Sequence, residues 1–160
     1  MDLFDRLLGH DHWATAQLLE ASRSLTDAQL DRSFDIGHRT LRETLAHMIF
    51  VVDFWTGWMT GQPGTTEREG RRSIAGLGDY HERFYAAFAA FARRVRDEQR
   101  LDDTFLDHNA WRKTLGGTII HVIHHNAQHR GEARHILERL GVPGLWDGDP
   151  QEWEAVTQGG

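Results

Sequence analysis

The chain has 160 residues, 39% hydrophobic and 26% charged, a composition that supports one folded domain over residues 1–160 and excludes a disordered chain. Its net charge of −6, with arginines scattered among acids as between Arg93 and Glu98, excludes a clustered basic face for nucleic acid. With no cysteine, disulfides, thiolate ligands and a cysteine nucleophile are ruled out. Asp2 and Asp5 stand where a secretory signal would carry positive charge, and no apolar run reaches membrane-spanning length, so a cytoplasmic protein with no membrane association is expected.

Periodicity predicts four long amphipathic helices. The first runs from about Leu3 to Ala21, with Leu3, Leu7, Ala14, Leu18 and Ala21 at helical spacing. Thr26 with Gln29 three residues on reads as a capping box opening a short turn, and Thr40 with Glu43 repeats the signal. That second box introduces a helix with the stripe Leu41, Leu45, Met48, Val52, Trp55 and Met59, stopped by Gly61 and Pro63. Residues 64–78, polar and glycine-rich, read as a long mobile connection. The third helix spans about Asp79 to Arg100, with Tyr80, Phe84, Ala87, Phe88, Phe91 and Val95 on one side. A second connection, residues 102–113, shows no convincing strand pattern. The fourth helix runs from near Thr114 to Leu140, with Gly141 just past its end and Pro143 beyond. A tail over residues 149–156 adds a helical turn through Trp153 and Val156. The fold class is therefore all-α, a four-helix bundle with a short C-terminal helical turn.

The chain carries 11 histidines, five of them between His121 and His135. His125 and His129 lie four apart on one helix face and can chelate one ion, but other pairs here share that spacing. The apolar stripe Ile119, Val122, Ala133, Ile136, Leu137 and Leu140 chooses among them: His129 falls in its middle and His125 at its edge. His121 lies further round, and His124 and His135 fall outside. Two core-facing imidazoles need partners, and a shared divalent metal is the simplest one. A third ligand has to come from another helix. His47 is the best candidate, on the flank of the second helix that holds Val51, Phe54 and Trp58. Three neutral imidazoles leave a coordination position open, as catalytic sites do, and zinc, nickel, cobalt or ferrous iron fits such a set.

Asp11 falls near the centre of the first helix's stripe, among Leu7, Ala14 and Leu18, where a carboxylate needs a partner. It is the candidate catalytic residue, expected to meet a ligand histidine, the metal or the substrate. Glu132 is a weaker candidate for the same work. Arg130 is placed either to pair with an acid or to hold a substrate carboxylate.

These residues resemble the DinB/YfiT-like superfamily. The matching pieces are His10-Asp11-His12-Trp13, the segment from Thr40 to His47 leading to Trp55, and His121-x3-His125-x3-His129-Arg130-Gly131-Glu132 followed by Leu137 and Leu140-Gly141. The resemblance runs from the first helix to the end of the fourth, and the third helix and both connections contribute little to it. It implies a four-helix bundle, often a homodimer, with His47, His125 and His129 holding a divalent transition metal, zinc or nickel first, then iron, cobalt or manganese. Some relatives are thiol S-transferases or isomerases using bacillithiol or mycothiol, and many have no known reaction. The implied partner is a small molecule, a low-molecular-weight thiol among the choices; the family name records induction by DNA damage and implies no DNA binding. His124 and the His10/His12 pair offer alternative ligands or proton carriers.

Three functions follow from this reading. One is a metal-dependent thiol transferase in which Asp11 or a spare histidine handles the proton. Another is a metal-dependent hydrolase with Asp11 as base. The third is a non-catalytic metal-binding protein of a stress response.

Overall fold

Each long helix begins on a side chain that satisfies amides which the helix itself leaves without partners. Asp2 accepts from the amide of Asp5 (2.8 Å), Thr40 from Glu43 (3.1 Å), Ser73 from Gly76 (3.1 Å) and Thr114 from Gly117 (3.1 Å). The computed structural model describes residues 1–63 and 73–157. In chain order these form α1 (Leu3–Ala21), α2 (Asp27–Leu30), α3 (Leu41–Thr60), α4 (Ile74–Asp97), the strands β1 (Thr104–Leu106) and β2 (Arg112–Thr114), α5 (Leu115–Arg139) and α6 (Pro150–Thr157). The all-α bundle expected from the periodicity is what forms. α1 and α3 each pack against both α4 and α5, so α1 and α3 face each other across the bundle diagonal. α6 is the expected C-terminal turn; its buried Trp153 lies so close to Gly9 of α1 that any β-carbon there would run into the indole. No helix among the described residues is long and apolar enough to cross a membrane.

Two local expectations are corrected. α4 starts at Ile74 rather than Asp79, because Ser73 caps it and Ile74 and Leu77 are buried, which outweighs the weak helix propensity of Gly76 and Gly78. Residues 64–72 of the expected mobile connection lie outside the described residues. In the second connection β1 and β2 pair antiparallel, Thr104 opposite Thr114 and Leu106 opposite Arg112. Three-residue strands are too short to show alternation in a sequence. The Asp107 carboxylate closes their turn, accepting from the amides of Asn109 and Trp111 at 2.9 Å each.

The apolar core is divided in two. One cluster includes Leu18, Leu45, Ile49, Leu77, Ile136 and Leu137; the other includes Leu8, Val52, Phe88, Val95, Ile119 and Val122. Between the two clusters, which Phe84 touches on both sides, α1, α4 and α5 also place polar side chains. α1 contributes Asp11 and Thr15 there, α4 contributes His81, and α5 contributes Asn126 and Arg130. Asp11 is fully buried, ion-paired with Arg130 and accepting from Asn126 Nδ2 at 3.0 Å. A buried charge stripped of its partner is strongly destabilising. Asp11→Ala is therefore expected to cost about 3–5 kcal/mol in urea denaturation. Asp11→Leu combined with Arg130→Met should recover part of that loss, since the orphaned charge is then gone.

Candidate metal centre

α3 and α5 run side by side, and this contact brings His47 onto His125 and His129. The Nε2 atoms of His47 and His125 lie 2.9 Å apart, and those of His125 and His129 3.1 Å apart. Ring centres are separated by 4.8 Å for His47–His125, 4.8 Å for His47–His129 and 4.4 Å for His125–His129. Two imidazoles bound to one ion at 2.0–2.1 Å have ring centres roughly 4.5 Å apart at a right angle and roughly 5.2 Å apart at the tetrahedral angle. The observed spacings fit that demand.

Proton counting fits it as well. His129 Nδ1–H donates to Glu132 Oε2 at 2.6 Å, which leaves the His129 Nε2 lone pair facing His125. His125 Nε2 has one proton or one lone pair, yet it faces two other ring nitrogens. A shared cation satisfies all three lone pairs at once. Two buried polar atoms beside the cluster, His125 Nδ1 and Asn126 Oδ1, have no hydrogen-bond partner among the described residues. Burial pulls His47 down to about 4, helped by the neighbouring His38, His125 and His129. Burial likewise pulls His125 down to about 4, with His129 and His121 adding to it and the Asn126 side chain opposing. Both rings are neutral near pH 7, the form in which imidazole binds a metal.

The structure adds two histidines that periodicity did not select. His38, in the loop before α3, lies over His47 with ring centres 3.9 Å apart and 5.2 Å from His129. Ring nitrogens of His38, His47 and His129 all fall within 4.8 Å of one another, a group that could hold a metal ion. His108, at the tip of the β1–β2 hairpin, rests against Phe54 and Trp55 at 5.2 and 6.0 Å. Both sit in loops, outside any repeating stripe, so the sequence carried no positional signal beyond the glycine before His38. A cavity of about 470 Å³ opens on this cluster, walled by Phe50, Val51, Phe54 and Trp55, with His38, Glu43, His47, His108 and His125 also reaching it.

Of the other candidates, Glu132 joins the cluster and Asp11 does not. Asp11 pairs with Arg130 and Asn126 and is hydrogen-bonded to none of the three histidines; Glu132 is the carboxylate on His129. His10 donates to the Gly148 carbonyl (2.8 Å), and His121, His124 and His135 are exposed. His12, His81 and Glu82 form a second group of close donors. There the His12 and His81 rings stack face to face with planes 14° apart, so the two planes cannot both contain one nearby ion. His81 Nε2–H is also committed to the His12 carbonyl (3.1 Å), and burial holds this ring at about 4.

Three depressed imidazoles set a pH dependence. As pH falls from 6.5 towards 4, the unfolded chain protonates His47, His81 and His125 before the folded protein does. The unfolded state then binds more protons, so stability is present above pH 6.5 and is lost as pH falls through the window. The melting temperature of the metal-free protein should be flat above pH 6.5 and decline below it, with a shallower decline in His47→Asn. A melting temperature that stays constant down to pH 4 would contradict this.

The sequence profile of the DinB family matches residues 2–156. No curated protein matches the chain. Among solved structures, a DinB-like protein from Bacillus cereus ATCC 10987 superposes with a TM-score of 0.68 at 20% identity, over 89% of this chain and 95% of that one. At that identity the likeness supports the fold, which is the bundle described above. A family match over nearly every residue, on a bundle of this form, shows that the chain belongs to the DinB family.

Proposed function

We propose that this protein is a metal-dependent transferase that passes a low-molecular-weight thiol to an electrophilic substrate. The observation that carries the reading is the approach of His125 Nε2 to the Nε2 atoms of both His47 and His129, beside a cavity with aromatic walls. These three residues hold the ion. Bound there, a divalent ion supplies Lewis acidity, which lowers the pKa of a thiol or water reaching its open position. Glu132 keeps the proton on His129 Nδ1 and so turns the opposite lone pair towards the place the ion would take.

The chain has no cysteine, so a thiol nucleophile has to arrive as a substrate. Phe50, Phe54 and Trp55 bind the apolar body of the electrophile and keep water away from the thiolate. Glu43 and His108, at the same cavity, are placed to exchange a proton with a bound molecule. Asp11 acts behind this site: it neutralises Arg130 and holds the Asn126 carboxamide next to His125 in the chain.

Untagged wild-type protein should contain about one equivalent of a transition metal, and His129→Ala should lose it. Glu132→Gln should bind the metal about 10–100-fold more weakly, measured by competition with a chelator. The loaded wild type should then join bacillithiol or mycothiol to an alkyl halide, releasing halide and a proton, or to an epoxide, whose opened oxygen takes the proton, at a rate that tracks metal content. Metal-dependent ester hydrolysis without thiol transfer would replace this reading by a hydrolase. Failure of the wild type to take up added zinc, nickel or cobalt would overturn it.

A further inference from the structure

Four imidazoles, not three, gather between α3 and α5. Building on the three-histidine reading, we propose that His38 is a fourth metal ligand, delivered by the loop that joins α2 to α3. The construction of that loop carries the proposal. Its base is tied to α5: Phe34 is buried beneath the Arg139 guanidinium at 4.8 Å, and Asp35 pairs with the same arginine at 2.7 Å. The chain then turns through Gly37, at φ +52°, directly over the Glu132 carboxylate, where any β-carbon would collide with Oε2. Arg39, at φ +71°, completes the turn, its amide donating to the Ile36 carbonyl (2.9 Å) and its carbonyl accepting from the Phe34 amide (2.6 Å). The result lays His38 across His47.

Glu132 therefore does two things. It orients His129 through Nδ1, and it is the surface against which the loop carrying His38 is fitted. The spacing of the rings agrees with ligation. The 5.2 Å between His38 and His129 is that of two ligands on one ion, while the 3.9 Å to His47 falls short of the roughly 4.5 Å a right-angle pair requires. His38 has to swing outward by roughly half an ångström and turn its ring. It is the exposed, loop-borne member of the four, so it has the freedom to do so, whereas the other three are held on helices. His38 also reaches the cavity, which makes it the ligand a substrate can displace on approaching the ion. A set of four imidazoles favours zinc, copper, nickel or iron over the oxygen-seeking magnesium and manganese.

The test uses metal-free full-length wild type, His38→Ala, Gly37→Ala and His129→Ala, each titrated with Co²⁺ and with Cu²⁺. Visible absorption of the Co²⁺ forms reports coordination, pulsed EPR of the Cu²⁺ forms counts coupled imidazoles, and chelator competition gives affinity. His38 is exposed, so circular dichroism and the melting temperature of the metal-free His38→Ala protein should match wild type. His38→Ala should still bind one ion, about tenfold or more weakly, with a shifted Co²⁺ spectrum and one fewer coupled imidazole. Gly37→Ala, which keeps the imidazole but lifts the loop from Glu132, should reproduce that spectrum. A His38→Ala protein with unchanged affinity, spectrum and imidazole count overturns this proposal and leaves the three-histidine site standing. A wild type that binds neither ion overturns both.

Discussion

Polar side chains of α1, α4 and α5 meet in the middle of this bundle, and the ion pair between Asp11 and Arg130 is the contact on which their arrangement depends. Polar groups in a dry interior are expensive unless each finds a partner, and a charge still more so. Here Asp11 and Arg130 neutralise one another, Asn126 donates to the remaining carboxylate oxygen, and Thr15 donates to the Asp11 carbonyl (3.1 Å). These groups lie between the two apolar clusters, and the Asp11–Arg130 pair ties α1 to α5. The histidine cluster occupies the same level of the bundle on the α3 side.

α5 serves both groups by simple helical geometry. His125 and His129 are four residues apart, and so are Asn126 and Arg130, offset from the first pair by one residue. One residue rotates a helix by about 100°. The first pair therefore faces α3 and His47, while the second faces α1 and Asp11. Two i, i+4 pairs set side by side let one helix join a histidine-bearing surface to a charge-paired one. Ala133, Ile136 and Leu137, further along, then return the helix to the apolar cluster.

Chemically the cluster is poised rather than charged. Burial keeps His47 and His125 neutral, Glu132 fixes the His129 tautomer, and the cavity beside them is lined mainly by aromatic rings. Such a site could hold a cation through its lone pairs. That arrangement suits a chain with no cysteine. The loop bearing His38 and the hairpin bearing His108 are the parts of this site that are not helical, and both close on it from the solvent side.

What the sequence by itself determined was whatever depends on local periodicity. The long helices, some of their ends such as Thr40 and Gly61, and the inward rotation of His125 and His129 follow from residues within a few positions of one another. His47 was readable for the same reason, as a polar residue on an apolar flank. What only the tertiary structure decided was which of the polar groups meet. Asp11 had an evident need for a partner, but that the partner is Arg130 rather than a histidine depends on α1 lying beside the Asn126–Arg130 face of α5. Glu132 and His129 are three residues apart, a spacing that permits their contact without requiring it, and the packing of Gly37 over the carboxylate selects it. The early start of α4 at Ile74 needed a buried place for Ile74 and Leu77 to overrule the glycines. His38 and His108 lie in loops, where no repeat marks an inward direction. Their places at the site come from contacts between segments far apart in the chain, and periodicity within a helix carries no information about those.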